Sequence, residues 1–445
     1  MKLNHIAPVC SQVFTNFIYM DLFLMIKKYS SYLECKGLYG FLKLVSICFL
    51  AVPIAVGIAA ISPWIKCRLV RLFSYRIGHY ALNTELLLCA LDLDLFKAKD
   101  RVNRFFYCVP ETPLCNKQLH LMWKRTIKIL PFSYLWYRVD RLLMLFLGNT
   151  YQNDPFKIAF ESSYGDKDIW GLFNKIKKCH ISFRENEKSK AQIILNKMGI
   201  PSGAKFICIL VRDSGYLSSH LPNSDWSYHD YRDADTDNYQ KAAKYLAKQG
   251  YYVLRMGKYV KKEFHIDHDR VIDYANSPFQ SDFMDIYLSA NCFFMMTTSC
   301  GLDSVARIFR RPILVTDFPL PDFISSYRCH IFIPKKVYDT KNGKFLTFNQ
   351  IYQDKNLFTN KQLMMEVWQN KGWKFIDNSA EEILEAAKEM LQQMTLQTNT
   401  IEQVNLQEEF WKSFPVELVS YMSSYRDIPS RLGTSFLESN NHLLN

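Results

Sequence analysis

The C-terminal half of the chain alternates short apolar runs with longer segments that carry an apolar face. A run of this kind, rich in large or β-branched apolar residues and ending in polar ones, predicts a buried strand. The runs are Lys205–Asp213, Tyr251–Arg255, Val271–Ala275, Cys292–Ser299 and Arg311–Asp317. Helices are predicted between them, at Asp235–Gln249, after the favourable N-cap residue Ser281, and after Gly301. Strands that alternate with helices at this spacing predict an α/β fold with a doubly wound parallel sheet.

An uncharged apolar run occupies positions 44–65. Its length is sufficient to cross a bilayer as one helix. Basic residues lie on both sides of the run, so their distribution gives no orientation. Pro53 and Gly57 inside it are also compatible with a bent re-entrant or monotopic segment, and a buried core helix is a third interpretation. We expect a membrane anchor, with the rest of the chain on the cytoplasmic side of an inner membrane.

The segment after this run predicts a strand at Arg68–Tyr75, a tight turn that contains Gly78 and His79, and a helix from about Leu82. Glycine in such a turn lets the backbone approach a ligand closely. His79 would then lie at the carboxyl end of a parallel strand, where open α/β sheets bind their ligands. A second strand is predicted at Asn103–Val109.

Composition narrows the class of partner. The 445 residues exceed one ordinary core, and 49% hydrophobic with 22% charged residues is typical of folded globular domains. Twelve cysteines show neither a C-x-x-C pair nor metal-ligand spacing, which predicts buried reduced thiols and no zinc site. The net charge of +12 favours a phosphate-rich partner. Because no nucleic-acid-binding motif accompanies this charge, we expect membrane lipids and no nucleic acid.

Polar residues follow the predicted strands at the points where the strands end. The right-handed crossover rule places these loops on one edge of the sheet. The loops contribute cations, hydroxyls and a turn of small residues: Arg212, Asp213, Ser214, His229, Asp230, Arg232, Arg255, Gly257, Lys258, Thr297, Thr298, Ser299, Gly301, Thr316 and Asp317. Free amides, a helix dipole and bidentate arginines are suited to a diphosphate.

Structural interpretations of the same residues stay open. Lys258 belongs to a basic loop that is compatible with a solvated surface, and Ser299 and Gly301 form turns in many proteins. Arg212 follows a buried strand and needs a partner, which could be Asp213 in an ion pair within the protein.

Several motifs, in order, resemble those of a bacterial family of GT-B-like glycosyltransferases associated with surface-polysaccharide synthesis. They are VRDSGY, HDYRDADTDNY, GYYVLRMGK, VIDYA, SDFMDIYLSA and TTSCGLDSVARIFRRP, and the resemblance covers roughly residues 68–440. It implies two Rossmann-like domains that face across a cleft. The implied division is an N-terminal region with the membrane segment (1–66), an acceptor-side domain (67–201), a donor-side domain (202–390) and a helical tail that packs back on the N-terminal domain (391–445).

The resemblance also extends to single residues. The segment Thr297–Val305 is similar to the donor-binding turn of heptosyltransferase-like enzymes, and Arg212 is similar in placement to the donor-phosphate arginine of fucosyltransferase-like enzymes. His229 and Arg232 match a His-Ser-Tyr-Arg-Asn pattern of the family. Asp230 and Asp233 depart from that pattern and make the loop more acidic, which puts a phosphate role for its centre in doubt.

The chain is therefore expected to move a sugar from a nucleotide-sugar donor to a glycan or lipid-linked acceptor. No DxD-like metal motif lies in a suitable loop, so we expect no metal and no cofactor, with the diphosphate held by protein cations. The expected donor-binding residues are Arg212, His229, Arg232, Arg255, Gly257, Lys258, Thr298, Ser299 and Gly301. His79 is the expected general base, with Asp213 as the second choice.

Two other functions fit the same sequence. A nucleotide-sugar epimerase or hydrolase of this fold would convert the nucleotide sugar without an acceptor. A non-catalytic, membrane-attached scaffold would bind no nucleoside diphosphate, which a thermal-shift measurement detects.

Overall fold

The protein has a mixed α/β fold. A computed structural model describes residues 46–97, 102–110, 112–162, 165–213, 231–319, 330–353, 361–396, 401–414 and 430–444. The helices are α1 (46–61), α2 (Ile77–Asp92), α3 (Lys117–Thr126), α4 (Ser133–Leu147), α5 (Asn149–Gln152), α6 (Pro155–Phe160), α7 (Leu172–Lys175), α8 (Glu185–Lys197), α9 (Gln240–Lys248), α10 (Asp282–Asn291), α11 (Asp303–Ile308), α12 (Phe348–Ile351), α13 (Lys361–Lys371), α14 (Ala380–Leu396), α15 (Ile401–Ser413) and α16 (Thr434–Ser439).

Twelve strands accompany these helices in the part of the chain that the structure describes. They are β1 (Lys66–Leu72), β2 (Val102–Cys108), β3 (Phe206–Leu210), β4 (Tyr252–Arg255), β5 (Val271–Ile272), β6 (Met295–Thr297), β7 (Ile313–Phe318), β8 (His330–Pro334), β9 (Lys336–Asp339), β10 (Lys344–Phe345), β11 (Trp373–Ile376) and β12 (Arg431–Leu432).

Contacts group the chain into two units. Of the described residues, the first unit contains 46–69, 102–110 and 130–153, and the second contains 70–97, 112–129 and the described residues from 154 onward. The predicted domain boundaries remain predictions.

A seven-stranded sheet lies at the centre of the second unit. Its strand order is β12-β8-β7-β6-β3-β4-β5, and every pair is parallel. All residues of β3, β6 and β7 are buried, as expected of a parallel sheet whose two faces are both covered. The sheet confirms the parallel arrangement and the five strands predicted for the C-terminal half. The strand β8 and the edge strand β12 beside it were not predicted.

Two helices of this unit follow their sequence signals closely. Ser281 caps α10, because its hydroxyl accepts a hydrogen bond from the Met284 amide at 3.3 Å, and this confirms the predicted N-cap. The predicted helix at Asp235–Gln249 consists of a 3-10 turn, Thr236–Tyr239, followed by α9. Its apolar face is buried as predicted, with Tyr239 and Leu246 both fully enclosed.

The segment around His79 differs from its prediction. The helix α2 begins at Ile77, about five residues earlier than expected, and the Tyr80 amide already donates to the Arg76 carbonyl at 2.8 Å. The preceding strand β1 pairs with β2 in a separate two-stranded sheet. His79 therefore lies in the first turn of a helix, and the prediction that it belongs to a tight turn before that helix is wrong. Local apolar content predicted the strand correctly but could not specify its partner.

The first unit has a small core of its own. Ala51 and Ala55 of α1, Val139 and Leu143 of α4, and Tyr107 of β2 are buried together. Of the predicted apolar segment 44–65, residues 46–61 form α1. Within the described residues, no helix combines the length and the apolar character that crossing a membrane requires.

Candidate functional site

The large sheet has a switch in strand order between β3 and β6. From β3 the chain proceeds outward to β4 and β5, and it then returns to the other side of β3 as β6, followed by β7 and β8. The loops that follow β3 and β6 therefore start side by side, at the carboxyl ends of adjacent strands, and lead in opposite directions. A crevice outside such a switch point is where open α/β sheets bind ligands.

Arg212 lies at this switch point, two residues beyond the end of β3. Its amide donates to the Thr298 hydroxyl at 2.9 Å, which joins the loops after β3 and β6. Its Nε donates to Oδ1 of Asp233 at 2.9 Å, and the side chain is 16% exposed. The ion-pair partner is thus Asp233 and not the predicted Asp213. Within the described residues, the two Nη groups of Arg212 make no hydrogen bond and are available to an anion.

The turn after β6 is held in an uncommon backbone conformation. Ser299 has φ +58°, in the left-handed region, and its amide donates to the Thr297 hydroxyl at 3.2 Å. Its carbonyl accepts a hydrogen bond from Nη2 of Arg232 at 2.7 Å. A Cβ on Gly301 would lie 3.0 Å from Cγ2 of Ile77, so any other residue there requires the Ile77 side chain to move. The turn therefore brings a second arginine to the switch point.

Both arginines act electrostatically on this turn. Burial and the buried carboxyl of Asp303 together raise the pKa of the Cys300 thiol to about 12, while the positive charges of Arg212 and Arg232 oppose the rise. The Cys300 thiol is therefore neutral near pH 7. Burial also raises the pKa of Asp303, which pairs with Arg307 at 3.2 Å. Arg212 and Arg232 thus place two positive charges beside this turn.

Three other predicted donor-binding residues lie at the end of β4 and in the loop that follows it. Arg255 is fully buried, and its guanidinium donates to Asp273 at 3.3 Å and to the Lys262 carbonyl at 3.1 Å. Because none of its surface is accessible, we omit Arg255 from the candidate site. Lys258 is exposed and pairs with Asp282 at 3.3 Å. Gly257 is sterically required, since a Cβ there would meet Cγ1 of Val260 at 2.5 Å.

His79 is close to the same turn through its neighbour Gly78. A Cβ on Gly78 would lie 3.3 Å from Oγ of Ser304 and 3.4 Å from Cα of Gly301. Nδ1 of His79 lies 3.3 Å from Oδ1 of Asn83 and 3.6 Å from Oδ2 of Asp166. No described residue forms a hydrogen bond with its Nε2. An imidazole with one nitrogen held by a carboxylate and an amide, and the other open, has the arrangement of a general base.

The remaining predicted residues divide into three groups. Ser214, His229 and Asp230 lie outside the described residues. Asp213 accepts a hydrogen bond from the Lys261 amide at 2.9 Å and so holds the loop after β4. Thr316 and Asp317 are fully buried and both contact the Tyr239 hydroxyl, so they support the sheet from within.

Sequence reasoning missed the residues that position the candidate site. Lys335 is 3% exposed and donates to the Asp233 backbone carbonyl and to Asp377 at 2.7 Å. It thereby fixes the residue that pairs with Arg212. A lysine directly after the apolar strand β8 was a usable signal, whereas nothing in the sequence linked Asp166 or Asn83 to His79.

One group of side chains has metal-ligand geometry among the described residues. Atoms of Glu85, Cys89 and His180 lie within 4.8 Å of one another, although the spacing of the cysteines predicted no such cluster. Nη2 of Arg310 lies 2.9 Å from Glu85 and 3.5 Å from the Cys89 sulfur. A guanidinium thus already supplies the positive charge, and we interpret the cluster as a buried ion-pair network.

Comparisons with known proteins give only remote structural likeness. No family model matches the chain, and no curated protein matches it. Solved structures that it resembles include a glycosyl transferase family 9 protein from Veillonella parvula (12% identity, 73% of this chain and 97% of that chain, TM-score 0.40). Others are the E. coli ADP-heptose LPS heptosyltransferase II (16%, 73% and 99%, TM-score 0.34) and a UDP-GlcNAc 2-epimerase from Methanocaldococcus jannaschii (9%, 73% and 99%, TM-score 0.28).

Proposed function

We propose that the protein is a glycosyltransferase that binds the diphosphate of a nucleotide sugar at the β3/β6 switch point. The observation that carries this proposal is the convergence of Arg212 and Arg232 on the Thr298–Ser299 turn, through contacts of 2.9 Å and 2.7 Å. Two half-buried guanidinium groups at such a crevice suit a diphosphate better than an uncharged ligand.

The arginines would stabilise the departing nucleoside diphosphate. Negative charge develops on the leaving phosphate oxygen as the bond between the anomeric carbon and the diphosphate breaks. Fixed cations in a half-buried site lower the energy of that state. The Nη groups of Arg212 offer a bidentate contact, and Asp233 keeps the guanidinium plane in place. We therefore propose a metal-independent reaction, with Ser299 as a hydroxyl donor to the same phosphates.

His79 would activate the acceptor. Its open Nε2 would remove the proton from the acceptor hydroxyl as that oxygen attacks the anomeric carbon. Asp166 and Asn83 would hold Nδ1 and stabilise the imidazolium that forms. Asp213, which already binds the Lys261 amide, is less suited to the role of base.

The acceptor that we propose is a glycan or a lipid-linked glycan in bacterial surface-polysaccharide synthesis. Such acceptors are phosphate-bearing or membrane-bound, and the net charge of +12 favours both. We also propose that the protein acts at the cytoplasmic face of an inner membrane, with no nucleic-acid partner and no cofactor.

Donor binding is tested by thermal shift with UDP, GDP, CMP and ADP and their sugar derivatives. We expect one nucleotide class to stabilise the wild type, and Arg212→Ala to lose that shift. The matched control is Lys205→Ala, because Lys205 precedes β3 and so lies at the opposite end of the strand. Equal shifts in the wild type and Arg212→Ala would contradict the proposed phosphate site.

Transfer is tested with the donor so identified and a panel of acceptors. His79→Ala should retain the donor-induced thermal shift and lose most of the transfer rate, since general-base catalysis contributes about 10²- to 10⁴-fold. Asp166→Asn should reduce the rate less. Product analysis without acceptor separates the alternatives: conversion of the nucleotide sugar under that condition would indicate an epimerase or hydrolase. Unchanged transfer in EDTA would support metal independence.

A further inference from the structure

The first unit exposes an unusual number of large apolar side chains. More than half of the exposed large apolar residues in the described chain belong to it, although the second unit is several times larger. The most exposed are Trp64 (82%), Phe49 (80%), Phe132 (78%) and Leu145 (75%). Exposed apolar residues that occur singly need no explanation, but a concentration of this kind indicates an interaction surface.

Two helices present these residues. On α1, Ala51 and Ala55 face the core of the unit while Phe49, Val52 and Val56 are exposed. On α4, Val139 and Leu143 face the same core while Leu145 and Phe146 are exposed. Each helix therefore has one apolar side that is packed and a second that is open to solvent. A helix on the surface of a water-soluble protein normally has polar residues on the second side.

Phe132 adds an independent observation. It precedes α4 with φ +57°, in the left-handed region, and its side chain is 78% exposed. A large aromatic residue in this conformation is strained, and exposing its ring to water is unfavourable as well. Such a combination persists where the ring has a partner outside the chain's own core.

The charge of the same unit indicates which partner. Among its described residues the basic side chains are Lys66, Arg68, Arg104, Arg138 and Arg141. The one acidic side chain described in this unit, Asp140, is 2% exposed and accepts hydrogen bonds from Tyr107 and Tyr151, both at 2.7 Å. The charge that the described residues of this unit present to solvent is thus positive, and it accompanies exposed aromatic residues. That combination is typical of helices that lie in the interface of an anionic bilayer.

We infer that α1 and α4 together form a lipid-binding surface that lies in the plane of an anionic membrane. This inference concerns the first unit alone and does not depend on the proposed transfer reaction. It differs from the expectation of an anchor at 44–65 in two respects: α4 takes part, and no crossing of the bilayer is required. The apolar side chains would insert between the lipid headgroups, and the arginines would pair with the lipid phosphates.

The test is flotation of the full chain with vesicles of phosphatidylglycerol and, separately, of phosphatidylcholine. We expect the wild type to bind the anionic vesicles at least tenfold more strongly at low salt. The double variant L145E/F146E should lose about tenfold or more of that binding. The control is Ile193→Glu, because Ile193 is 57% exposed on α8 in the other unit and should bind as the wild type does. Circular dichroism verifies that both variants fold.

A second measurement locates the contact. Brominated lipids quench tryptophan fluorescence at the depth of the bromine, and we expect a quenched component that disappears in Trp64→Phe. Unchanged flotation of the double variant together with unchanged quenching in Trp64→Phe would overturn the inference. So would sedimentation showing that the double variant dissociates a wild-type dimer while vesicle binding stays the same, because the surface would then bind a second copy of the chain.

Discussion

Two arginines in similar sequence contexts have different roles in the structure. Arg212 and Arg255 each end an apolar strand segment, and from the sequence both were expected to bind phosphate. Arg255 is the last residue of β4, and its guanidinium donates to the Lys262 carbonyl in the loop after β4 and to Asp273, directly after β5. Arg212 lies two residues beyond β3 and is only partly covered. The distinction depends on how distant loops fold over the strand ends, which no local pattern encodes.

The partner of Arg212 shows what the motif comparison could supply. Asp233 was noted only as a departure from an asparagine in the resembled pattern, and its acidity was taken to weaken the site. In the structure it forms the 2.9 Å ion pair with Arg212. The sequence thus identified Asp233 as unusual. Its role as an ion-pair partner became visible only from a contact between residues that are 21 positions apart.

Ser299 provides a prediction at the scale of one residue. Its φ of +58° costs an L-residue about 1–2 kcal/mol, a cost that glycine avoids. We expect Ser299→Gly to change the free energy of unfolding little, because glycine also increases the freedom of the unfolded chain by roughly 1 kcal/mol. Ser299→Val should destabilise by about 2 kcal/mol or more, since a β-branched residue tolerates this region worst. Urea unfolding measures both; equal stability of the two variants would contradict the strained turn.

At the scale of elements, the central strands were the most predictable part of the fold. Runs such as the five fully buried residues of β3 carry a strong signal because both faces of a parallel sheet are covered. The short edge strand β12, which has two residues, carries almost none. The start of α2 was misplaced because Gly78 was interpreted as part of a turn, whereas it is helical and allows close packing against Gly301 and Ser304.

The buried pair of Glu85 and Arg310 tests the interpretation of the metal-like cluster. Glu85 on α2 is fully buried, and Arg310 just after α11 is 8% exposed, so removing Arg310 leaves the buried carboxylate with the His180 imidazole, at 3.1 Å, in place of a guanidinium. We expect Arg310→Leu to lower the free energy of unfolding by about 3–5 kcal/mol. The double variant E85L/R310L should lose less than the sum of the two single variants, because no unpaired charge remains between these positions.

Chemical denaturation of all four proteins gives the coupling energy of this pair. The exposed pair Lys188 and Glu185 on α8, at 2.7 Å, is the matched control, and it should show no measurable coupling. Additive losses at Glu85 and Arg310, or tight zinc binding by the wild type, would contradict the interpretation of the cluster as an ion-pair network.

At the scale of the whole molecule, the sequence predicted the class of fold better than its organisation. Alternating strands and helices predicted the parallel sheet, and the switch point follows once the strand order is known. The two units, however, are each built from segments that are distant in sequence. Residues 112–129 belong with the large sheet's unit, for example, where Asn116 donates to the Asp282 carbonyl at 2.9 Å. Such pairings depend on tertiary contacts, and the hydrophobic patterns of the segments are too similar to specify which segment packs on which.

Stability of the whole molecule should depend on pH through one buried carboxyl, that of Asp285. Burial raises the pKa of Asp285 to about 7, although hydrogen bonds from Tyr274 (2.8 Å) and Gln280 (3.3 Å) oppose the rise. An aspartate in an unfolded chain has a pKa of about 3.9. The native state therefore binds this proton more tightly. Its stability should increase as the pH falls from about 7 towards 4, and this contribution should be lost as the pH rises through 7.

Asp285→Asn isolates that contribution. An asparagine amide oxygen can still accept the Tyr274 hydrogen bond, and the side chain carries no charge at any pH. We expect the variant to equal or exceed the wild type in stability at pH 8. Between pH 8 and pH 4.5 the free energy of unfolding of the wild type should gain roughly 3 kcal/mol from Asp285, and the variant should lack this gain. Urea unfolding at intervals of half a pH unit measures both curves. Parallel curves for the two proteins would show that Asp285 does not titrate in this range, and that the Tyr274 hydrogen bond outweighs the burial of the carboxylate.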